Sequence, residues 1–352
     1  MPLRDHGKCD MVTLKQIAQE AGVSIMTVSK VMRDYPDIAP KTKERIRSIA
    51  NQLGYVPDAA ARSLRTRSTH TIGVVLPNIN QTYFPRVFVG IEQVAKARGY
   101  KLFLAHTNED PKQETTEIRE LLSRKVDGLL IAPANRLEAN YEIFSLIESR
   151  NVPTVILDRH PPQLPNFLHV VTDDRQGGYL ATKHLIDLGH REIALLSGPV
   201  GSPCTVERTD GYRRALQEAG IPFRDELVFA AGVEIADGQK AASELVNERT
   251  KCTALFTYND LVAIGAAEFF LQQKWTIPDD VSIVGYGDMQ VAQLYRVPLT
   301  TVRQPQSGLG QVAIQMLFEK MAGRPTESRR LPVEIIARAT TAIPKSTSAL
   351  KR

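Results

Sequence analysis

The chain holds one tryptophan and three cysteines in 352 residues, and both scarcities exclude something. Cys9, Cys204 and Cys252 are odd in number and far apart. They offer neither a disulfide framework nor a CxxC metal pair, so reduced thiols are the expectation. No apolar run approaches the roughly 18 residues a membrane span needs. The first ten residues, MPLRDHGKCD, carry charge where a secretion signal needs an apolar stretch, so a cytoplasmic protein with no membrane partner is expected. Catalytic signatures are missing too. VGYGDM is not a GxGxxG fingerprint, and there is no GxxxxGK[ST] loop, HExxH helix or GxSxG elbow. The seven histidines do not cluster at metal-ligand spacing; His184 and His190, six apart near a helix end, read as capping or surface residues. A non-enzyme without metal or cofactor is the expectation.

What is present is ordinary globular usage: 43% hydrophobic and 24% charged residues, with 22 Gly and 21 Pro. The length suggests roughly two or three domains. The net charge of +5 is distributed unevenly. Residues 1–70 hold 12 Lys+Arg against 7 Asp+Glu, and residues 71–352 hold 32 of each. A compact basic segment joined to a neutral body suggests a module that meets a polyanion.

Within that segment Leu14, Ile17, Ala18 and Ala21 recur at helical spacing and Gly22 breaks the run. Ser24 is a natural N-cap for a second helix with Val28, Val31 and Met32 facing inward. A third helix begins at Pro40, carries Ile46, Ile49, Ala50 and Leu53 inward, and stops at Gly54. Two short helices meeting at a glycine, closed by a third, form a helix-turn-helix pattern. Were the second helix to enter a major groove, Ile25, Met26, Ser29 and Lys30 would reach base edges. Lys30 is the strong hydrogen-bond reader of the four, able to pair with guanine, and Ile25 and Met26 suit thymine methyl groups. Thr27, Lys41, Lys43 and Arg47 suit phosphate contacts that set register. The plain alternative is a small helical bundle with ordinary surface lysines.

The stretch PDAAARSLRTRST that follows can form a short helix, marginal in isolation. Ala61, Arg62, Leu64 and Arg65 have the composition of a minor-groove wedge, a leucine that unstacks a base step between arginines that hold the backbone. Together VTLKQIAQEAGVSIMTVSKVMRD and GYVPDAAARSL resemble the amino-terminal module and hinge of the LacI/GalR family of bacterial transcription regulators. That family's sequence starts close to Met11, so residues 1–10 are expected to be a disordered extension.

From Thr71 the chain alternates β-rich runs with helical patterns: TIGVVLP, KLFLAH, DGLLIAP and PTVILD, then EIALLSGP, TALFTYND and VSIVGYGD. This predicts parallel α/β sheet in two similar lobes. Ligands of such sheets bind outside the carboxyl ends of the strands, which points to a cleft between the lobes. VDGLLIAP, ERTDGYRRAL, YNDLVAIGA and PLTTVRQP extend the resemblance over nearly the whole chain, and through it to the periplasmic sugar-binding proteins. The expected architecture is α + α/β. A helix-turn-helix DNA-binding domain (11–56) and hinge (57–70) precede a two-lobed, periplasmic-binding-protein-like domain for effector binding and dimerisation (71–343), with a tail at 344–352.

The resemblance implies a regulator, most simply a repressor, binding a pseudo-palindromic operator as a homodimer under control of a small effector, a sugar or sugar derivative. A ligand-binding protein without a DNA role is the alternative. By that resemblance the effector residues fall on Asn80, Tyr83, Phe84, Asp158, Arg208, Asn259, Asp260 and Asp288. An arginine fork and carboxylates can grip vicinal hydroxyls while an aromatic face covers the C–H surface. Two departures stand out: Val233 replaces a stacking aromatic of several family members, and Gly287 replaces the aspartate that often ends VGYD.

Overall fold

The computed structural model describes residues 12–56, 68–136 and 140–345. The chain divides into two compact units, Met1–Thr69 and His70–Arg352. Ala61, Arg62, Leu64 and Arg65, the expected extension at residues 1–10 and most of the tail lie outside the described residues.

In the first unit, α1 (Leu14–Ala21) opens with a reciprocal capping box between Thr13 and Gln16 and ends at Gly22, whose φ of +62° is left-handed backbone. α2 (Ile25–Met32) starts at Ser24, whose Oγ accepts from the Thr27 N–H at 3.1 Å. α3 (Pro40–Gln52) begins with proline, which loses nothing there because the first-turn N–H groups have no helical partner. Ile17, Ala18, Ala21, Val28, Val31, Ile46 and Ala50 form one core across the three helices.

The second unit holds two six-stranded sheets. The first lobe contains β1 (Thr71–Leu76), α4 (Tyr83–Ala97), β2 (Lys101–His106), α5 (Pro111–Ser123), β3 (Gly128–Ile131), α6 (Glu142–Ser149), β4 (Thr154–Asp158) and β5 (Leu168–Thr172). The second contains α7 (Asp174–Asp187), β6 (Ile193–Ser197), α8 (Pro203–Glu218), β7 (Val228–Ala230), α9 (Ile235–Asn247), β8 (Ala254–Thr257), α10 (Asp260–Gln272), β9 (Ser282–Gly287), α11 (Gln290–Leu294) and β10 (Thr300–Arg303). The chain then returns through α12 (Gln306–Met321) and β11 (Arg329–Leu331) to the first sheet, and ends in the second with β12 (Glu334–Ile336). The orders are β11-β5-β4-β3-β1-β2 and β12-β10-β9-β8-β6-β7, parallel throughout except for β12. The expected two-lobed α/β body is what forms, and near-continuous apolar strands such as β3 and β4 are its buried centre.

The lobes are joined by three adjacent crossings, after β5, after β10 and after β11. The Asp173 N–H donates to the Leu331 carbonyl at 2.9 Å, and Gln304 Nε2 donates to Thr172 Oγ1 at 2.8 Å. His184 and His190 differ from their expected surface role. His190 is 2% exposed and bonds Thr253 Oγ1 and the Ala342 carbonyl, while His184 bonds Thr341 Oγ1. They pin the segment after β12 onto the second lobe, a contact too remote in sequence for spacing to reveal.

Helices cover the sheets in pairs that approach through glycine. α4 meets α12 at Gly90 and Gly310, α7 meets α8 at Gly178 and Gly211, and α9 meets α10 at Gly238 and Gly265. At Gly211 an added Cβ would lie 2.1 Å from the Arg175 carbonyl oxygen and 2.5 Å from the Tyr179 nitrogen, so the helices would have to separate. Gly211→Ala should therefore lower stability by about 1–3 kcal/mol, read as a lower denaturant midpoint with an unchanged slope. An unchanged midpoint would show that α7 and α8 can slide apart freely.

Candidate functional site

α2 presents Ile25, Met26, Ser29 and Lys30 away from the core residues Val28 and Val31. Ile25 is 49% and Met26 65% exposed. The polar pair is already engaged. Ser29 Oγ accepts from Arg33 Nη2 at 2.6 Å, and Lys30 Nζ sits 2.5 Å from Asp37 Oδ2. Lys30 is thus not the free reader its composition suggests, because the loop after α2 returns a carboxylate to it. Lys43 and Arg47 share Asp34, at 3.0 and 2.7 Å, and hold its carboxyl below the usual range, Lys43 most. Lys41 is exposed, and Thr27 is tied to Ser24 at the start of α2.

In the second unit a cavity of about 330 Å³ opens between the lobes at the carboxyl ends of the strands. Of the eight residues expected there, Tyr83, Phe84, Asp158, Arg208 and Asn259 line it. Asp158 ends β4 at φ +70°, with the Arg159 N–H bonded to the Leu157 carbonyl two residues back at 2.8 Å. This tight turn stores strain of about 1–3 kcal/mol and aims the carboxylate inward, where it accepts from the Tyr83 hydroxyl at 2.5 Å. Burial raises the Asp158 pKa against the pull of Arg159. Arg208 donates from Nε to Asp174 at 2.8 Å and from Nη1 to the Tyr258 carbonyl at 2.7 Å. Its guanidinium carbon lies 3.7 Å from the Tyr286 ring centre and 4.6 Å from that of Tyr258.

Several lining residues carry no motif. Arg159 Nη1 forks onto both oxygens of Glu109 at 3.1 and 3.0 Å, and the Asn135 N–H donates to Glu109 Oε2 at 2.9 Å. Burial of the Arg159 guanidinium works against its charge, and Glu109 and Asp158 more than offset it. Asn78, Gln81 and Gln304 complete the polar wall, and Val233, Gly287 and Met289 form an apolar end. Gly287, at φ +122°, keeps that end free of a side chain. Across the mouth, Gln81 Nε2 donates to Glu234 Oε1 at 2.7 Å, joining the lobes.

Three expected effector residues do not reach the cavity wall. Asn80 turns outward because its N–H bonds the Asn78 side chain, placing Asn78 and Gln81 inward in its stead. Asp288 is consumed by Arg303 and Arg338, at 2.7 and 2.6 Å. Asp260, fully buried, accepts from the Thr301 hydroxyl and the Met289 N–H. It positions the wall from behind. Asn259 does line the cavity, but its side chain caps α10 and donates to the Val233 carbonyl.

Burial pushes the Asp260 carboxyl up to about 6 from 3.8, against its two hydrogen bonds. A carboxyl with a raised folded pKa lowers stability once it must ionise. That cost is absent at pH values below 3.8, grows as pH climbs to about 6, and is complete above. The stability of the native protein relative to Asp260→Asn should therefore fall as pH rises from 4 to 7, read from denaturant midpoints at each pH. A pH-independent difference would contradict the buried-carboxyl assignment.

The same architecture recurs in characterised proteins. The family described as "Bacterial regulatory proteins, lacI family" matches residues 13–58, and "Periplasmic binding proteins and sugar binding domain of LacI family" matches residues 69–340. The HTH-type transcriptional repressor PurR of Vibrio atlanticus (strain LGP32) is 34% identical over 332 residues, covering 94% of this chain and 98% of its own. The lac repressor dimer bound to operator and the anti-inducer ONPF superposes with a TM-score of 0.86 at 27% identity, covering 95% of this chain and all of its own. The transcriptional regulator CelR in complex with cellobiose gives 0.71 at 29% identity, covering 94% and 99%. With a helix-turn-helix unit and a two-lobed cleft unit both matched along one chain, this protein belongs to the LacI family of bacterial regulatory proteins.

Proposed function

We propose that the protein is a cytoplasmic transcription repressor whose homodimer binds a pseudo-palindromic operator, with a small effector in the interlobe cleft controlling that affinity. The carrying observation is the union, on one chain, of a three-helix module with an exposed reading helix and a ligand-sized cleft. One short helix reads too few base pairs for genomic specificity, so two half-sites and two copies are needed. An edge strand supports a dimer: Phe103 and Leu104 of β2 are exposed apolar neighbours on opposite faces, with exposed Val89 on the adjoining α4. Such an edge invites a partner surface. Ile25, Met26, Ser29 and Lys30 would face base edges, and Thr27, Lys41, Lys43 and Arg47 the phosphates. Ala61, Arg62, Leu64 and Arg65 would supply the minor-groove hinge.

The cleft favours binding over catalysis. Among the described residues, its one thiol, Cys204, is pushed well above the ordinary range by burial, and no histidine lines the cavity to act as its base. The cleft also favours a neutral, hydroxyl-rich effector. Both arginines are matched by carboxylates in or behind the wall, so an anionic ligand would find no uncompensated positive charge. The buried Asn135 Oδ1 has no hydrogen-bond partner among the described residues, and a sugar hydroxyl could donate to it. Phe84 and the apolar end at Val233 and Met289 suit a C–H face.

Two experiments test this reading. Selection of bound fragments from random DNA, with and without candidate effectors, should return a palindrome of two half-sites. Neutralising about six phosphates should make affinity for it fall by roughly 10³ between about 50 and 200 mM salt. No enriched sequence, or a flat salt response, would remove the DNA role. Thermal unfolding in neutral monosaccharides and polyols, hexose phosphates and nucleobases tests the cleft, because a ligand at a hundred times its Kd adds about 2.7 kcal/mol. Neutral polyols should raise Tm and phosphates should not, and Asn135→Ala should lose the shift while keeping operator binding. Stabilisation by phosphates or by nucleobases alone would overturn the polyol assignment.

A further inference from the structure

A second cavity, of about 590 Å³, lies in the first lobe, and the effector proposed for the cleft does not account for it. It opens where α5 and α6 begin, beyond the carboxyl ends of β2 and β3, the end of such a sheet that takes ligands. Its size falls in the ordinary range of small-molecule sites. Asn135 belongs to both cavity walls, and Arg136, the next residue, lines the outer one.

One part of the outer wall is fixed. The Arg136 side chain is 4% exposed and paired with the buried Glu114 of α5, and its guanidinium carbon lies 4.6 Å from the centre of the Tyr141 ring. Glu114 also accepts from the Ala134 N–H at 2.6 Å, so one carboxylate ties the loop after β3 to α5. The buried Nε of Arg136 has no partner among the described residues. Asp110 is engaged as well, as the cap of α5, accepting from the Lys112 N–H at 2.8 Å.

The other charges are exposed and unspent. Lys112, Thr115 and Arg119 stand at three- and four-residue steps, so one face of α5 brings two cations to the cavity. The start of α6 brings Glu142. These three charges line one cavity, yet none of them has an ion-pair partner among the described residues. Pro111 and Ile143 add an apolar stretch of wall. A simple anion would meet Glu142 as well as the cations, and a simple cation would meet Lys112 and Arg119. A molecule carrying both charges complements both walls.

We propose that this cavity is a second small-molecule site, selective for a zwitterion of the α-amino acid type. The carboxylate pairs with Lys112 and Arg119, the ammonium with Glu142, and the side chain lies on Pro111 and Ile143.

The experiment is calorimetric titration of the full chain with the standard L-amino acids, and with propionate and propylamine, which each carry one of the two charged ends. At least one amino acid should bind, and more tightly than either single-charge probe. Lys112→Ala, Arg119→Ala and Glu142→Gln should each weaken it about 10-fold, the loss expected for one charge-assisted hydrogen bond. The unliganded variants should keep the native Tm, and Lys112→Gln or Arg119→Gln replaces any alanine variant that does not. Binding of no amino acid, or propionate or propylamine binding as tightly, would overturn the proposal. Affinity unchanged when Lys112 and Arg119 are replaced together would also overturn it, by placing the ligand elsewhere. Each of these results would leave the operator reading standing.

Discussion

A guanidinium that is almost wholly buried has to be compensated on every side, and Arg208 meets that requirement in a way that organises the second lobe. Its charge draws Asp174 from the first turn of α7, the backbone carbonyl of Tyr258 beyond β8, and the ring of Tyr286 on β9. Removing one partner would strand a buried charge at a cost of several kcal/mol. The elements carrying the partners are therefore held to a common geometry, and that geometry is the cavity wall. The Arg159, Glu109 and Asp158 cluster does the same for the first lobe. The two clusters leave neither Arg159 nor Arg208 without a carboxylate partner at the cavity wall.

The same clusters sit close to the crossings between lobes. Asp174 follows the first crossing directly, and Gln304, in the second, both lines the cavity and bonds Thr172 of the first. Arg330 of β11 pairs with Glu207, the residue before Arg208. A ligand that presses on this wall therefore acts on segments belonging to both lobes. It can favour one arrangement only by binding that arrangement better than the other. The Gln81 to Glu234 bridge across the mouth is one contact whose making or breaking would separate the two arrangements.

Periodicity alone made the elements legible. Alternation of β-rich and helical runs located both lobes, and the inward positions Val28, Val31, Ile46 and Ala50 are core, whereas Leu53, read as inward, follows the end of α3 and is exposed. The place of the cleft was legible from the strand ends, but individual lining residues were legible only through the family resemblance, at Tyr83, Phe84, Asp158, Arg208 and Asn259. Glu109, Asn135, Arg159, Tyr258 and Gln304 sit at strand ends and in loops, where a side chain's direction follows from local turns and carries no period. The loop after β1 shows the difficulty. An Asx turn at Asn78 accompanies an outward Asn80 and leaves Asn78 and Gln81 on the cavity wall, a reversal invisible in the order of residues. Asp260 follows a cap residue and is drawn under the wall by Thr301 and Met289, two partners distant in sequence. Gly287 was legible as a departure, and its consequence is an open apolar end.

Charge counting had a similar limit. The excess of Lys and Arg lies in the first seventy residues, yet Asp34 and Asp37, on the loop between α2 and α3, take up Lys30, Lys43 and Arg47 within that unit. These pairs are exposed and worth little to stability. Their consequence falls on recognition. Affinity for any DNA rises with uncompensated positive charge, whereas affinity for one sequence rises with contacts that only that sequence completes. Carboxylates set among the lysines lower the first without touching the second. Under the proposed operator reading, a module built this way gives up some indiscriminate attraction to the phosphate backbone in favour of contacts that only one sequence completes.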